Sequence, residues 1–448
     1  MKKERQEYLQ ILRSLQGDAA GKRMAAEYVR QSDCYVYGRP APVSFVPVFY
    51  TQEEVRYLEG ICNTIHRILC KVIRHYLESE SYRGLFPFPK ETERLILLPC
   101  DYDDLLPMAR FDFFLNEDDL TFRFCEFNAD GASAMSRTQI GCEAAALSET
   151  FRQFASRHRV EPFELFDSWA EEFLGTYAKD RNAEEKPNVL ITDFEDAVTM
   201  SDVTRYLDAF ARRGISARFV DIRKLLFDGE ALRDPADGMR FHAVYRRAVT
   251  SDIVRETDAC RALIDAVQAR KVCLVGHFRT TVIHSKMINV ALLDERTQAL
   301  LTPEEQAFIR EHVLPTFRFR SDEPRVSTQE VLDHRREWIL KPEDDYDSHG
   351  VYAGIDLTQE EWEKRVKETL DGGYVVMRYY DPPASEIALP DPSAQSAADG
   401  GIVKWRCLTG AFAFNGKMKG FFSMMGDRGV INERHGAVSV PSFRILDR

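Results

Sequence analysis

Residues 124–136 read FCEFNADGASAMS and place three oxygen-bearing side chains at alternate positions after a run of apolar residues. These side chains are Glu126, Asn128 and Asp130. Alternate residues of a strand point to the same face, so Glu126 and Asn128 share one face of the strand predicted for LTFRFCEFN (residues 120–128). A polar pair that continues an apolar face is costly unless it has partners, which suggests a site.

A second strand, predicted just upstream for ARFDFFL (residues 109–115), places Arg110 and Asp112 on one face. The two strands and the polar turn NEDD between them predict a β-hairpin. The polar pairs of both strands share a face only if the loop has an odd number of residues, such as 117–119 or 117–121. A four-residue loop would turn one pair to the opposite face.

In the matching register, one face presents two carboxylates, an amide and a guanidinium, which we call the carboxylate shelf (Arg110, Asp112, Glu126 and Asn128). Such oxygens suit Mg²⁺, which proteins commonly hold with one or two carboxylates plus phosphate oxygens and water. A neighbouring arginine would neutralise charge on a phosphoryl group during transfer. The hairpin therefore predicts a magnesium site, and an exposed face with ordinary ion pairs is the alternative.

A second candidate segment, WILKPEDDYDSHGVYAGI (residues 338–355), joins an apolar strand to a flexible acidic loop. Lys341 ends the strand, where an ammonium group would reach a bound phosphate. Gly350 permits close approach of the loop backbone to a ligand. The GxxxxGK[ST] order of a Walker loop is absent. A solvated acidic loop is the alternative.

Two further segments are weaker signals for a nucleotide site. YVVMRYYDPP (residues 374–383) is an apolar strand stopped by proline, whose backbone would offer hydrogen bonds to an adenine edge; an ordinary core strand is the alternative. Lys286 lies near the start of a predicted helix, where phosphate binding is favourable, although a lone lysine is often solvated.

The composition is that of an ordinary globular protein and predicts a soluble, cytosolic chain. The 448 residues are 44% hydrophobic and 29% charged, and the length allows two or three domains. The net charge of −12 argues against nucleic acid as the main partner. The nine cysteines form no CxxC pair, which favours reduced thiols over disulfides or zinc. The N-terminus lacks an apolar signal core, and no stretch of about 18 apolar residues predicts a membrane span.

Hydrophobic periodicity predicts helices over residues 1–80 and 138–180, and a strand at RLILLPC (residues 94–100). A charged link at residues 179–187 follows. The chain has no internal repeat and no heptads, and nothing in it predicts an oligomeric state.

Residues 188–222 predict a strand–helix–strand unit of a small α/β domain with parallel strands, in which Gly214 ends the helix. Residues 241–249 and 271–278 predict further strands of this domain. The remaining prediction is helix over 281–315 and 358–370, antiparallel strands in the last fifty residues, and a loop at 393–401 (SAQSAADGG) that is mobile by composition.

Together these segments resemble one family. RFD…CEFNADGAS resembles the RxD…ExNxD segment of glutathionylspermidine synthases and their relatives, and HSKMINVALL resembles the family's SNK-type segment. WILKPEDDYDSHGVYAG, EEWEKRV and YVVMRYYDPP resemble, in that order, its LKP…GxGV loop, its helix and its hinge. VYRRAV resembles the YRR segment of circularly permuted ATP-grasp proteins. The resemblance spans roughly residues 95–445.

The resemblance implies an α/β (α+β) ATP-grasp fold, circularly permuted, with a small pre-ATP-grasp-like α/β domain inserted in the middle of the chain. In ordinary ATP-grasp proteins the magnesium ligands follow the nucleotide lysines, whereas here they come first. The implied domains are an N-terminal helical region (1–94), the first part of the ATP-grasp domain with the magnesium hairpin (95–180), the inserted α/β domain (187–280) and the nucleotide-binding part (281–448).

The resemblance also implies ATP and Mg²⁺ as cofactors and a role for each matching residue. The implied residues are Arg110 for the transition state; Asp112, Glu126 and Asn128 for Mg²⁺; Lys286, Lys341 and the loop around Gly350 for the ATP phosphates; Val376, Met377 and Tyr379 for adenine; and Asp130 and Ser133 for substrate.

The implied reaction joins a small-molecule or peptide carboxylate to an amine through an acyl phosphate, with release of ADP and phosphate. It needs no protein nucleophile, which agrees with the lack of a recognisable Ser-His-Asp or Cys-His set. Nothing before residue 95 matches the Cys/His amidase fused to some family members. His349 is expected to be solvated or to contact substrate, and Cys125, opposite in parity to Glu126, is expected to pack in a core.

Two departures from the family leave other functions open. Family loops often read YGGxGV where this chain has YDSHGV, and the hinge often carries Gln-Glu where this chain has Met377 and Arg378. A degenerate ATP-grasp protein that binds nucleotide or ligand without turnover is therefore the alternative. Adenylation, which would release AMP and pyrophosphate, is a further one.

Overall fold

The computed structural model of the protein describes residues 1–389 and 401–446. Apart from Gly401, the loop predicted at residues 393–401 lies outside these residues. The helices are α1 Lys2–Ser14, α2 Ala19–Gln31, α3 Gln52–Glu78, α4 Glu80–Arg83, α5 Lys90–Ile96, α6 Met135–Ala146, α7 Glu149–Ala155, α8 Phe166–Tyr177, α9 Met200–Arg212, α10 Thr250–Arg255, α11 Arg261–Gln268, α12 Thr281–His284, α13 Met287–Leu293, α14 Glu295–Gln298, α15 Pro303–His312, α16 Thr328–Asp333 and α17 Gln359–Thr369.

The strands, in chain order, are β1 Tyr35–Val36, β2 Arg39–Pro40, β3 Val48–Tyr50, β4 Met108–Leu115, β5 Phe122–Asn128, β6 Arg159–Pro162, β7 Asn188–Asp193, β8 Ser216–Asp221, β9 Leu226–Phe227, β10 Leu232–Arg233, β11 Arg240–Phe241, β12 Ala243–Arg246, β13 Cys273–Val275, β14 Thr316–Arg318, β15 Trp338–Pro342, β16 Tyr352–Ala353, β17 Tyr374–Arg378, β18 Ala384–Ala388, β19 Ile402–Phe414, β20 Lys417–Gly426, β21 Val438–Val440 and β22 Ser442–Leu446. In the part of the chain that the structure describes, no helix is long and apolar enough to cross a membrane.

A six-stranded antiparallel sheet, which we call the central sheet, contains the predicted hairpin. β5 and β4 form one edge, the order continues through β19 and β20 to β21, and β18 also pairs with β19. The long helix α3 packs against this sheet and begins at Thr51 with a capping box to Glu54. Its buried apolar stripe runs from Leu58 to Tyr76, as the periodicity predicts.

The strand predicted at residues 94–100 is wrong, because this segment contains the end of helix α5. Its apolar residues serve two cores rather than one face of a sheet. Ile96 packs in the core under the central sheet, whereas Leu95 and Leu98 pack in the core of a parallel sheet described below. A short apolar run has no period that distinguishes a strand from a buried helix.

The helix predicted over residues 138–180 is interrupted. Residues 159–162 form strand β6 between α7 and α8, and β6 pairs with the C-terminal strand β22. The last fifty residues are mainly antiparallel, as predicted, but β22 also pairs parallel with β3 near the N-terminus. These pairings join segments far apart in sequence, so no local pattern reveals them.

The predicted strand–helix–strand unit belongs to a four-stranded parallel sheet with the order β13-β12-β7-β8. Gly214, with a φ of 68°, follows the end of α9, as predicted. The strand predicted over residues 241–249 is shorter, because His242 separates β11 from β12. β11 belongs instead to a three-stranded sheet with the order β11-β10-β9.

A four-stranded antiparallel sheet with the order β14-β17-β15-β16, which we call the small sheet, contains the predicted strands WILKP and YVVMR. α17 packs on it through Trp362 and Val366. Residues 281–315, predicted as helix, form the four helices α12 to α15, and Pro315 immediately precedes β14.

The loop after β5 joins the central sheet to the parallel sheet. The buried carboxylate of Asp130 pairs with Arg246 of β12 and accepts the backbone N–H of Thr250 at 2.7 Å. Gly131 has a φ of 72°, and a Cβ at this position would lie 2.0 Å from the carbonyl oxygen of Arg247. The close approach of the two segments therefore requires glycine here.

Asp130→Asn should lower the free energy of unfolding by about 3–5 kcal/mol, because it leaves the Arg246 guanidinium buried without its counter-charge. Chemical denaturation measures the change. Asp258→Asn is the matched control, since the Asp258 carboxylate is 98% exposed and its pair with Arg261 should contribute little. If both variants unfold like the wild type, the buried pair does not hold these two sheets together.

Candidate active site

A cavity of about 710 Å³ lies between the central sheet and the small sheet. It is lined by most of the residues predicted from sequence, namely Arg110, Asp112, Glu126, Asn128, Asp130, Ser133, Lys286, Lys341, Met377 and Tyr379. Gly350 and Val376 are not part of its lining. The fold thus brings side chains separated by more than 200 positions in the sequence to one cavity.

The hairpin has the register needed for the carboxylate shelf because of a β-bulge that the sequence does not predict. Leu115 pairs with Phe122, so the loop has six residues, and the expectation of an odd loop is wrong. An even loop alone would place the polar pairs on opposite faces. A bulge at Cys125 adds one residue to β5 and shifts the register, so that Asp112 lies opposite Glu126.

The side chains of the shelf form one hydrogen-bonded group. Arg110 donates from Nε and Nη2 to the two oxygens of Asp112, at 2.7 and 2.9 Å. The Nδ2 of Asn128 lies 3.0 Å from Asp112 Oδ2 and 3.2 Å from Glu126 Oε1. Arg110 lies opposite Asn128 on the neighbouring strand, so two cross-strand pairs supply all of these groups.

Burial and neighbouring cations give the two carboxylates different acidities. Burial raises the pKa of Asp112 to about 6, although Arg110 opposes the rise. Burial also acts to raise the pKa of Glu126, but Lys286 and Lys341 outweigh it and lower that pKa to about 2. Glu126 is therefore ionised at neutral pH, and a further cation beside Asp112 would favour its ionised form as well.

Two buried lysines face the shelf. Lys286 Nζ lies 3.7 Å from Glu126 Oε2 and donates to the carbonyl oxygen of Asp345 at 2.9 Å. Lys341 Nζ donates to the carbonyl oxygen of the bulged residue Cys125 at 3.3 Å. Positive charge therefore lies next to the carboxylates inside the cavity, where it would attract phosphate groups.

The chemistry of the shelf fits a small divalent cation. Among residues 1–389 and 401–446, no cluster of three or more His, Cys, Asp or Glu side chains is placed to hold a metal ion. The shelf instead offers two carboxylates and the amide of Asn128, which points at both of them. Turning this amide about its last bond would offer its carbonyl oxygen in place of its NH₂ group. Such an oxygen set suits Mg²⁺, whose other ligands are commonly phosphate oxygens and water.

The acidic loop of residues 343–349 is tied to three other parts of the chain. Asp347 accepts hydrogen bonds from Tyr37 Oη and from Arg434 Nη2, the latter at 2.6 Å. Tyr346 Oη donates to Asp252 Oδ2 at 2.8 Å. The turn between β1 and β2, the segment before β21 and the helix α10 thus all hold the loop over the cavity.

The surroundings of three further residues of this region are also defined. His349 lines the cavity, as a loop residue in reach of a ligand should. Cys125 packs against a hydrophobic core, as expected, and it also lines the cavity, where its Sγ lies 3.6 Å from Lys341 Nζ. Gly350 lies outside the lining; its φ of 64° and the Oη of Tyr374, 2.7 Å from an added Cβ, account for the glycine.

The strand predicted to border adenine is held by its neighbours. Val376 is fully buried in the core of the small sheet, whereas Met377 and Tyr379 line the cavity. The backbone N–H of Tyr379 donates to the carbonyl oxygen of Glu337 at 2.7 Å, so it is not available to a ligand.

The two predicted substrate residues differ in their surroundings. The Asp130 carboxylate is taken up by Arg246 and Thr250, which leaves its predicted contact with substrate without support. The carbonyl of Ser133 accepts a hydrogen bond from Arg110 Nη1 at 2.9 Å, and the residue lies in the cavity wall.

Sequence reasoning missed Gly410 and Arg137. Gly410 lies opposite Asp112 on β19, and a Cβ there would be 2.6 Å from Asp112 Oδ1 and 2.8 Å from the Cδ of Arg110. A lone glycine inside the strand LTGAFAF was the available signal. Arg137 lines the cavity from the first turn of α6, in a segment whose sequence marks it only as helix.

Gly410→Ala should destabilise the protein by about 1–3 kcal/mol, because the new methyl group forces the Arg110–Asp112 pair to move. Thermal melting without ligand measures the effect. Gly60→Ala in α3 is the control: nothing lies within 4 Å of its added Cβ, and alanine favours a helix. A Gly410→Ala protein as stable as the wild type would contradict the tight fit of the shelf against β19.

Comparison with known proteins finds similar solved structures. A solved structure of a glutathione synthetase-like effector from Globodera pallida, in its apo form, is similar with a TM-score of 0.62 and 12% identity, over 94% of this chain and 96% of that chain. D-Cycloserine synthetase is also found, at 14% identity over 58% of this chain and 92% of its own, but with a TM-score of 0.28. No protein-family model and no curated protein matches the chain. The chain therefore shares its α/β fold with the effector.

Proposed function

We propose that the protein is an ATP-dependent carboxylate–amine ligase with a circularly permuted ATP-grasp architecture. The observation that carries the proposal is the carboxylate shelf, which faces two buried lysines across one cavity. The buried Asp112, the partly exposed Glu126 and the two buried lysines form a closely spaced set of charges, and Mg²⁺ with a polyphosphate would satisfy both signs. The fold shared with a protein described as glutathione synthetase-like supports the same proposal.

The proposed architecture follows the order of the elements along the chain. The shelf on β4 and β5 precedes both lysines in sequence. The parallel sheet of β7, β8, β12 and β13 lies in sequence after the shelf and before the first of the two lysines. We therefore keep the predicted division into residues 1–94, 95–180, 187–280 and 281–448, with the third unit as the inserted domain.

In this proposal, Asp112, Glu126 and Asn128 hold Mg²⁺, which supplies positive charge to the phosphate oxygens. Lys286 and Lys341 bind the ATP phosphates as point charges, and the loop around Gly350 covers them. Val376, Met377 and Tyr379 form the strand beside adenine; Met377 and Tyr379 contact the base, and Val376 supports them from the core.

The proposed reaction has two steps. The carboxylate oxygen of the acid attacks the γ-phosphorus of ATP, the bond to the β-phosphate oxygen breaks, and an acyl phosphate and ADP form. The amine then attacks the acyl carbon, phosphate leaves, and the amine loses its proton to give an amide. Arg110 is held rigidly by Asp112 and lies next to Ser133, so it can steady the charge on the transferring phosphoryl group without rearrangement.

A second candidate function, binding of nucleotide without turnover, is favoured by one observation at the hinge. Arg378 is fixed by Glu330 and Glu337 and lies over the ring of Trp338 at 4.0 Å. Together with the occupied N–H of Tyr379, this leaves fewer hydrogen-bonding groups for an adenine edge. Product formation separates the two functions.

Product identity tests the ligase proposal without knowledge of the natural amine. Incubation with Mg-ATP, a set of carboxylic acids and hydroxylamine should yield ADP and a hydroxamate, because hydroxylamine captures an acyl phosphate. Asp112→Ala should remove this activity, and a circular dichroism spectrum like that of the wild type separates this loss from unfolding. Binding of Mg-ATP with no ADP from any acid would favour the second candidate, and AMP with pyrophosphate would indicate adenylation.

Lys341→Ala should weaken nucleotide binding by about 1.5–3 kcal/mol, the scale of a hydrogen bond to a charged group. Calorimetric titration with Mg²⁺ and a non-hydrolysable ATP analogue measures it. Lys404→Ala, on β19 and outside the cavity lining, is the control and should bind as the wild type does. Unchanged affinity in Lys341→Ala would remove this lysine from the nucleotide site.

A further inference from the structure

Arg137 is a mostly buried arginine in the cavity wall to which the proposed reaction assigns no role. It lies in the first turn of α6, with 15% of its side chain exposed. The backbone N–H groups of Ala134 and Ser136, at the start of this helix, donate to the carboxylate of Asp202. The charged group that the start of this helix places in the cavity wall is therefore the Arg137 side chain.

The guanidinium of Arg137 is largely unsatisfied. Within residues 1–389 and 401–446 its hydrogen-bonding partner is Glu433, which it contacts through Nη1. The Nε is buried without a partner, and Nη2 has none among the described residues. Glu433 also accepts the hydroxyl of Ser439 at 2.9 Å, so its carboxylate is shared. Unpaired donors on a buried charged group are costly, which points to a missing anionic partner.

The hydrogen bonding of the neighbouring Arg110 differs from that of Arg137. Arg110 uses Nε and Nη2 on Asp112 and Nη1 on the Ser133 carbonyl, so each of its nitrogens has a partner. Both guanidinium groups lie against the ring of Phe422, with the Cζ of Arg110 at 5.1 Å and the Cζ of Arg137 at 5.7 Å from its centroid. The cavity thus holds one arginine with a partner on every guanidinium nitrogen and one with a partner on Nη1 alone, both on the same aromatic ring.

We infer that the acid substrate carries a second anionic group, which Arg137 binds while the reactive carboxylate lies beside Arg110. This inference rests on the proposed function for the identity of the reactive end. The chemical class is a dicarboxylate, or a larger acid with a second carboxylate, because the charged guanidinium has an Nη2 group without a partner and a carboxylate is a strong acceptor for such a donor. The Phe422 ring between the two arginines would pack against the chain that joins the two groups.

Matched acids test this inference by binding. Melting temperatures are measured with Mg²⁺ and a non-hydrolysable ATP analogue, at equal ionic strength, with glutarate or butyrate, which share a four-carbon chain and differ in the second carboxylate. Succinate and adipate vary the spacing of the two groups. The wild type should bind the best dicarboxylate at least about tenfold more tightly than butyrate, the effect of one charge-assisted hydrogen bond.

Arg137→Gln should abolish this preference, because it removes the charge and the Nη2 donor. Arg152→Gln is the matched control: Arg152 is exposed on α7, outside the cavity lining, and the variant loses the same charge. It should keep the full preference. If Arg137→Gln fails to fold, Arg137→Lys replaces it, and a preference reduced severalfold is expected because the charge remains without the Nη2 donor.

Two results would overturn the inference: equal responses of the wild type to dicarboxylates and to butyrate, including no response to either, or an Arg137 variant with an unchanged preference. The hydroxylamine reaction separates this failure from failure of the ligase proposal. Hydroxamate formed equally well from butyrate and glutarate would reject the second anionic group and retain the ligase. Preferential binding of glutarate that depends on Arg137, with no ADP formed, would retain the binding site and reject the ligase.

Discussion

The balance of charge in one cavity is the constraint on which the rest of the structure depends. Asp112 and Glu126 lie side by side on neighbouring strands, and each meets a cation that lowers the cost of its burial: Arg110 for Asp112, and Lys286 for Glu126. Lys341 reaches the backbone of the same strand. None of these charges would be stable in the interior alone, and together they leave a polar space that suits a cation bound to polyphosphate.

Secondary structure positions these charges through small details of backbone geometry. The bulge at Cys125 brings the two carboxylates to one face and also turns its carbonyl toward Lys341. Gly410 leaves the space that the Arg110–Asp112 pair occupies. Asp130 and Gly131 then fix the end of the strand to the parallel sheet. The side chains of the site are therefore held by the central sheet and its contacts, whereas the acidic loop is held by side-chain hydrogen bonds from three directions.

The amount that sequence predicts differs from element to element for physical reasons. The face shared by Glu126 and Asn128, the helix α3 and the parallel strands follow from local periodicity, and the structure has them. The register of the hairpin does not follow from local periodicity. The six-residue loop alone would place the two polar pairs on opposite faces, and the bulge at Cys125 returns them to one face. The segment 94–100 contributes to two cores at once, so its apolar run carries no usable period. Arg137 escaped notice because its partners, Glu433 and Phe422, are almost 300 residues away in sequence.

The Asp130 carboxylate is engaged by Arg246 and Thr250, so it is not placed to contact substrate as the sequence predicts. Asp130 lies two residues after Asn128 and so continues the alternation of the shelf in sequence. The strand ends at Asn128, however, and the Asp130 side chain turns into the interface with the parallel sheet. Alternation along a strand predicts a shared face only as far as the strand extends. Beyond it, Ser133 and Arg137 define the wall of the cavity through tertiary contacts.

The measurement that tests the central claim most directly is thermal melting with a non-hydrolysable ATP analogue, with and without Mg²⁺. A ligand at 100 times its Kd adds about 2.7 kcal/mol to stability. For a folding unit of 150–250 residues, this should raise the melting temperature by roughly 5–10 °C. The account predicts a rise of this size that requires Mg²⁺. No rise at millimolar nucleotide, or the same rise with and without Mg²⁺, would contradict a metal–nucleotide site at the carboxylate shelf.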